Sequence, residues 1–252
     1  MKSLGVGLNY KAAANKSQNL DYSVFYTLSD IRGYHKFLDN SLKSVERFVE
    51  PGNIIVVYTP PINEKHIESL RVRGYQIYVK PTPVGGWRFA AKNYLCDVET
   101  ENLIFIDCDT VVYKDIRELL TRDKDYSFAA RIGKTSSVGD KVWEGTFKKF
   151  GLRQLPMFNS GFMIFRDGLH NCIKDEWIEY LKMYLSNELE LPHKDRTMIN
   201  QHALTLAISR YVPESNIWYL GKEHHSYGET RDTYVFHTPG SGKPLIENHG
   251  GV

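Results

Sequence analysis

Two aspartates follow an apolar segment in the first half of the chain, and they carry the strongest chemical signal in the sequence. Asp107 and Asp109 come directly after Leu103–Ile106 and are separated by Cys108. Because side chains alternate along an extended strand, both carboxylates point to the same side. Two neighbouring anions repel each other unless a cation lies beside them. The pair therefore predicts a site for a hard divalent cation, Mg²⁺ or Mn²⁺.

A second candidate site lies near the end of the sequence, in the segment HTPGSGKP that begins at His237. The imidazole of His237 ends a short apolar strand, where it can complete the coordination of an ion such as Mn²⁺. Gly240 lets a backbone amide approach a phosphate closely, and Lys243 supplies a positive charge for it. The segment therefore indicates an anion site next to a metal ligand.

Two reaction classes use an aspartate pair of this kind. One is the transfer of a sugar from a nucleotide sugar, in which a metal bridges the two acids and the diphosphate. The other is phosphoryl transfer by haloacid dehalogenase-type phosphohydrolases, in which Asp107 would be the nucleophile, and the run Asp107–Val111 (DCDTV) fits the first motif of that class. Such a phosphohydrolase also needs a later acidic pair, for which Asp140 with Glu144 is a poor match.

The segments that must position these residues alternate between strand and helix patterns. Apolar and β-branched runs predict strands at Tyr22–Thr27, Ile54–Tyr58, Tyr75–Val79 and Leu103–Ile106. Helical spacing and capping signals predict helices at Tyr34–Val49, Asn63–Arg73 and Trp87–Leu95. The alternation predicts an α/β fold with a mostly parallel sheet and helices on both faces. Ligands of such sheets bind beyond the carboxyl ends of the strands, which is where the aspartates lie.

The second half of the chain is less regular. Short strands are predicted at Phe162–Phe165, Ile217–Leu220 and Tyr234–Phe236, and amphipathic helices at Asn171–Ser186 and Thr197–Ser209. A polar loop, Gly221–Asp232, contains His224 and His225. We expect this histidine pair to face solvent, although the loop could also close over a ligand.

Composition limits the class of protein. The chain has 252 residues, of which 42% are hydrophobic and 25% charged, as in an ordinary globular domain. Its net charge of +2 gives no global basic field, so we expect no nucleic-acid partner. Three dispersed cysteines favour a reducing compartment. No apolar run is long enough for a transmembrane helix, and the N-terminal residues lack a signal-peptide core. We therefore expect a cytoplasmic protein.

Five motifs in order resemble glycosyltransferase family 8, the glycogenin and lipopolysaccharide galactosyltransferase group. Besides the aspartate pair and the His237 segment, the matching stretches are Arg88–Lys92 (RFAAK), Thr110–Leu120 (TVVYKDIRELL) and Phe158–Met163 (FNSGFM). The resemblance covers roughly residues 22–245. It implies one GT-A-type domain over residues 1–252, with a Rossmann-like mixed sheet flanked by helices on both faces. Residues 21–130 would form the nucleotide-sugar-binding half, and residues 131–252 the acceptor-side half.

The resemblance also implies a function. It implies a metal-dependent, retaining hexosyltransferase whose acceptor is a glycan, a lipid-linked glycan or a protein, and whose expected donor is UDP-glucose or UDP-galactose. Asp107, Asp109 and His237 are then expected to bind Mn²⁺ or Mg²⁺, which neutralises charge on the departing diphosphate. Besides these ligands, the residues expected to contact the nucleotide sugar are Thr27, Arg88, Lys92, Cys108, Asn159, Ser160, Gln201, Gly240 and Lys243. Because Arg88 and Lys92 are four apart, we expect them to share one helix face.

One position departs from the family pattern. The catalytic candidates are Asn159, Asn200 and Gln201, but the family usually carries Asp-Gln where this sequence has Asn200-Gln201. Asn200 lacks the carboxylate sometimes proposed as a nucleophile or ion-pair stabiliser. Three possibilities follow: a front-face reaction in which the leaving phosphate deprotonates the acceptor, recruitment of Asp195, or slow or lost transfer. The last would make the chain a non-catalytic nucleotide-sugar-binding protein, which remains an alternative beside the phosphohydrolase.

Overall fold

A seven-stranded sheet forms the centre of the protein. The computed structural model describes residues 21–29, 31–82, 84, 86–122, 125–133, 139–192, 196–228 and 230–237. The strands are β1 (Tyr22–Ser29), β2 (Ile54–Thr59), β3 (Gln76–Val79), β4 (Asn102–Ile106), β5 (Thr110–Val112), β6 (Phe128–Ile132), β7 (Phe158–Phe165), β8 (Ile217–Tyr219), β9 (His225–Ser226) and β10 (Val235–His237). The large sheet has the order β3-β2-β1-β4-β7-β6-β8, and a small sheet has the order β5-β10-β9.

The large sheet is mixed. Strands β3, β2, β1 and β4 run parallel to one another, and β6 runs parallel to β8. Strand β7 is antiparallel to both β4 and β6. The beginning of β7 therefore lies beside the carboxyl end of β4, at the edge of the sheet where Asp107 and Asp109 follow. The register confirms this, because Ile106 pairs with Phe162.

Helices cover both faces of the sheet, as predicted. They are α1 (His35–Val45), α2 (Glu64–Val72), α3 (Arg117–Thr121), α4 (Lys141–Phe150), α5 (Leu169–Cys172), α6 (Lys174–Leu185) and α7 (Ile199–Tyr211). Alternate residues of β4 serve the two faces: Phe105 belongs to the buried cluster with α6 and α7, whereas Ile104 belongs to the one with α1 and α2. A strand buried on both faces must be apolar throughout, which explains the continuous run in the sequence.

Most strands were predicted from the sequence at the correct place, whereas the ends of the helices were predicted less accurately. The predicted strands at Tyr22–Thr27, Ile54–Tyr58 and Leu103–Ile106 all lie within observed strands, and Asn63 caps α2 by accepting from the His66 N–H group. The second half was less well predicted. Strand β7 begins four residues earlier than expected, the helix predicted at Asn171–Ser186 divides into α5 and α6, and β5, β6 and α4 were not predicted.

The helix predicted at Trp87–Leu95 is wrong in type. Residues Arg88–Asp97 form a 3₁₀ helix, in which positions three apart lie on one face. The buried residues Ala90, Asn93 and Cys96 follow this spacing. Arg88 and Lys92 therefore do not share a face through α-helical geometry.

Among the described residues, no helix combines the length and hydropathy that crossing a lipid bilayer requires.

Candidate functional site

A cleft of about 490 Å³ opens beyond the carboxyl ends of β1 and β4. Thr27 and Ser29 line it from the end of β1, and Asp107 and Asp109 line it from the turn after β4. Asn159 contributes from the antiparallel β7. This is the edge of an open α/β sheet at which ligands bind.

Asp107, Asp109 and His237 each offer one atom that could bind a metal ion, and these three atoms lie within 4.8 Å of one another. The small sheet creates this cluster, because β10 pairs antiparallel with β5 and places His237 opposite Thr110. Nε2 of His237 is 3.2 Å from Oδ1 of Asp109. Burial opposes ionisation of Asp109, but the charge and hydrogen bond of His237 outweigh it and hold the pKa of Asp109 below its ordinary value. Two carboxylates and an imidazole suit a divalent ion such as Mn²⁺.

Lys92 is the cationic partner of Asp107. Its Nζ atom is 2.8 Å from Oδ1 and 3.0 Å from Oδ2 of that carboxylate. The same ammonium group donates to the carbonyl oxygen and hydroxyl of Ser160, at 2.9 and 3.1 Å, and lies 4.7 Å from the ring centroid of Phe105. Lys92 therefore ties the start of β7 to the aspartate turn. Arg88 also lines the cleft despite the 3₁₀ geometry.

The Asn159-Ser160-Gly161 segment fits closely around this cluster. The Gly161 carbonyl accepts a 2.8 Å bond from the Asp107 amide, and the Gly161 amide donates at 2.8 Å to Oδ1 of Asn159. An added Cβ at Gly161 would lie 2.3 Å from Cε1 of His237. Only glycine allows His237 this position. The Asn159-Ser160-Gly161 segment therefore positions both Asp107 and His237.

Asn200 and Gln201 line the cleft from the first turn of α7. Both polar atoms of the Asn200 side chain are buried and have no hydrogen-bond partner among the described residues. The same holds for Oε1 of Gln201, whose Nε2 donates to Sδ of Met198 at 2.9 Å. A buried polar group without a partner costs about 1–3 kcal/mol. These amides at the cleft are therefore suited to bind hydroxyl groups of a ligand.

The expectation that His224 and His225 face solvent is wrong, since both are buried. Strand β9 carries His225 into the small sheet, where its Nε2 lies 3.3 Å from Nδ1 of His237. Complete burial, and after it the nearby His237 and two cationic side chains, lowers the pKa of His225 well below its ordinary value. His225 is therefore neutral at physiological pH. His224 instead packs its ring against Trp218.

The structure brings the predicted site residues together wherever it describes them. Those that line the cleft are Thr27, Arg88, Lys92, Asp107, Cys108, Asp109, Asn159, Ser160, Asn200, Gln201 and His237. Gly240, Lys243 and Asp195 lie outside the described residues. Sequence reasoning missed other lining residues, among them Tyr34, Phe89, Met157 and Tyr227. Phe89 lies inside the RFAAK motif, whereas the other three carried no signal of their own.

Solved glycosyltransferases have a similar fold. Galactosyltransferase LgtC, determined with donor and acceptor sugar analogues, matches with a TM-score of 0.58 at 15% identity, over 91% of this chain and 95% of its own. Glycosyltransferase GlyE of Streptococcus pneumoniae TIGR4 matches with 0.60 at 13% identity, over 92% of this chain and 61% of its own. Mouse xyloside xylosyltransferase 1 matches with 0.50 at 11% identity, over 86% and 97%. The α/β fold is thus of the GT-A type, with the mixed sheet and flanking helices that the sequence predicts.

The sequence model of glycosyl transferase family 8 matches residues 37–244. The chain therefore belongs to glycosyl transferase family 8 and is a glycosyltransferase. Membership rules out the phosphohydrolase hypothesis for Asp107. No curated protein matches the sequence significantly.

Proposed function

We propose that the protein is a metal-dependent, retaining hexosyltransferase that uses a nucleotide sugar, with UDP as the favoured nucleotide, and a carbohydrate-containing acceptor. One observation carries the proposal. The cluster of Asp107, Asp109 and His237 shares a cleft with the Asn200 amide and with Oε1 of Gln201, which have no hydrogen-bond partner among the described residues. A diphosphate needs a cation, and a sugar needs hydrogen-bonding groups beside it. The cleft offers residues suited to both.

Asp107, Asp109 and His237 would hold the metal. Carboxylate oxygens suit Mg²⁺ and Mn²⁺ alike, whereas the imidazole nitrogen favours Mn²⁺. The bound cation would stabilise the charge that develops on the leaving nucleoside diphosphate. Lys92 supports the site by neutralising and orienting Asp107 through both carboxylate oxygens. The depressed pKa of Asp109 keeps its carboxylate ionised, as a metal ligand must be.

The remaining charged groups would bind the donor diphosphate. Arg88 lines the same cleft and brings a guanidinium group suited to phosphate oxygens. Gly240 and Lys243 keep their proposed role as the anion site that follows His237. Thr27, Cys108 and Ser160 line the cleft beside these groups, and we assign them to the nucleotide and ribose side.

Asn200, Gln201 and Asn159 would bind the transferred sugar. Among the described residues that line the cleft, Asp107 and Asp109 are the carboxylates, and both belong to the metal cluster. Asn200 carries a neutral amide and cannot form a covalent sugar intermediate as a carboxylate could. This favours the front-face route, in which the acceptor hydroxyl passes its proton to an oxygen of the leaving phosphate while the new bond forms on the same face.

Two further expectations belong to the proposal. We propose that residues 21–130 form the donor half and residues 131–252 the acceptor half of one domain. We also propose a cytoplasmic location, which is supported by Cys96, Cys108 and Cys172, none of which forms a disulfide. The acceptor would be a glycan, a lipid-linked glycan or a protein.

Donor hydrolysis tests the proposal. The purified protein is incubated with a panel of nucleotide sugars, with Mn²⁺, Mg²⁺ or EDTA, and nucleoside diphosphate release is measured. Asp109→Ala and His237→Ala should abolish metal-dependent release, whereas Asp232→Ala, which changes an exposed aspartate paired with Lys114, should not. Metal-dependent UDP binding without turnover of any donor would favour the alternative, a nucleotide-sugar-binding protein, which Asn200 leaves open. Absence of both binding and turnover would contradict the proposal.

A further inference from the structure

His225 is a completely buried histidine to which the proposed chemistry assigns no role. Strand β9 pairs in parallel with β10, which brings the imidazole of His225 beside that of His237. Nε2 of His225 lies 3.3 Å from Nδ1 of His237. The two ring planes differ by 9° and the ring centroids are 5.4 Å apart. The centroid distance is almost as long as the nitrogen–nitrogen contact and the two centroid-to-nitrogen lengths can make it, so the two rings lie nearly end to end. The contact therefore lies close to the plane of both rings, as a ring-to-ring hydrogen bond requires.

Neighbouring groups fix His225 in this orientation. Its carbonyl oxygen accepts a 2.7 Å hydrogen bond from Arg131. Its ring packs against those of Phe162 and Tyr227, at centroid distances of 5.7 and 4.7 Å. A buried ring packed against two aromatic rings, on a backbone held by Arg131, has little freedom to turn away from His237.

The two nitrogens of His237 face different partners. Nε2 faces Asp109, where the metal cluster lies, and Nδ1 faces His225. A ring nitrogen that binds a metal must offer its lone pair, so the proton of a neutral ligating imidazole belongs on the other nitrogen. In His237 that proton belongs on Nδ1, from which it points to Nε2 of His225.

We propose that His225 is a positioning residue: it accepts the hydrogen bond from Nδ1–H of His237 and thereby fixes the tautomer and ring orientation in which Nε2 faces a divalent cation. The inference rests on the metal site of the proposed function. It adds that the site needs a fourth, non-ligating residue, supplied by a strand that the sequence did not reveal. Removal of such an outer partner lowers metal affinity about 10- to 100-fold.

Mn²⁺ affinity of the whole protein, measured with MnCl₂ alone by electron paramagnetic resonance of the free ion, tests the proposal. His225→Phe keeps a buried ring but removes the acceptor, and it should weaken Mn²⁺ binding at least about 10-fold. His225→Gln restores an acceptor oxygen near the position of Nε2 and should recover most of the affinity. The ¹⁵N shifts of the His237 ring should show one protonated nitrogen, Nδ1, in the Mg²⁺-loaded parent and a mixture in His225→Phe.

His170→Phe is the matched control, because His170 is equally buried but donates from Nε2 to the Val98 carbonyl oxygen and does not line the cleft. It should leave Mn²⁺ affinity unchanged. Equal affinities of the parent and His225→Phe, each with a native unfolding midpoint, would overturn the positioning role and leave the metal site intact. Failure of the parent to bind Mn²⁺ would overturn the proposed metal site, and the positioning role with it.

Discussion

Gly161 and His237 approach so closely that a single methyl group cannot fit between them. A Cβ at Gly161 would lie 2.3 Å from Cε1 and 2.5 Å from Nδ1 of His237. The two residues belong to different sheets, β7 of the large sheet and β10 of the small one. Their contact therefore couples the strand that holds Asp107 through the Gly161 carbonyl to the strand that supplies the histidine ligand.

Gly161→Ala should disable the site without unfolding the protein. The added methyl group must displace the His237 ring, because the backbone of β7 is fixed by pairing with β4 on one side and β6 on the other. We expect Mn²⁺ affinity and donor turnover to fall at least about 10-fold, as after loss of a supporting partner. Calorimetric titration and diphosphate release measure the two effects.

Gly145→Ala is the matched control for this change. Gly145 lies inside α4, and a Cβ there meets nothing within 4 Å. Alanine in a helix interior is favoured over glycine by about 1 kcal/mol, so this variant should be more stable and equally active. If Gly161→Ala bound Mn²⁺ as tightly as Gly145→Ala, the close approach would have no functional meaning.

Lys92→Met should make folding stability depend more strongly on metal. The Lys92 side chain is only 12% exposed and neutralises Asp107 at 2.8 Å. Loss of this charge-assisted contact should cost about 1.5–3 kcal/mol in the free energy of unfolding measured by urea with EDTA. Because Mn²⁺ can replace the missing positive charge, its addition should stabilise Lys92→Met more than the parent.

The comparison for Lys92→Met is Lys174→Met, which removes a more exposed ion pair with Asp97. Such pairs contribute at most about 1 kcal/mol, and the Lys174 variant should respond to Mn²⁺ like the parent. A Lys92→Met protein with parental stability in EDTA would show that Asp107 needs no neighbouring cation.

Asp109 should contribute to stability in a defined pH range. Its pKa is below the ordinary value of 3.8 in the folded protein, despite burial, because His237 favours the charged form. The unfolded chain therefore takes up this proton at higher pH than the folded one, so the contribution is complete above about pH 5 and disappears as the pH falls through the folded pKa. Asp109→Asn lacks this proton uptake.

Urea unfolding between pH 7 and pH 3, in EDTA, measures the effect. The difference in free energy of unfolding between the parent and Asp109→Asn should shrink as the pH falls below about 4. Asp232→Asn, an exposed aspartate, should give a constant small difference. A parent–Asp109→Asn difference that stayed constant across the whole range would contradict a depressed pKa at this position.

Local patterns predicted the aspartate half of the site, and long-range pairing determines the rest. Leu103–Ile106 is apolar because β4 is buried on both faces, so the strand and the aspartates after it could be located from the sequence. The position of His225 could not, because β9 has two residues and forms through pairing with β10. His225 and the preceding His224 stand in a polar stretch whose composition resembles a solvated loop. The 3₁₀ helix that carries Lys92 was likewise hidden, since its buried residues also fit an α-helical pattern.

Asn200→Ala should separate activity from stability. The buried amide of Asn200 has no hydrogen-bond partner among the described residues, so its removal eliminates an uncompensated polar group and should leave the free energy of unfolding unchanged or raised. If the amide binds the transferred sugar, kcat/KM should fall about 10- to 100-fold, the equivalent of one to two hydrogen bonds.

Asn93→Ala is the matched control, because Asn93 is also buried without a partner among the described residues but does not line the cleft. Neither variant should be less stable than the parent, and only Asn200→Ala should lose activity. Parental kcat/KM in Asn200→Ala would remove this residue from sugar binding, whereas a marked loss of stability would show that the amide has a structural partner instead.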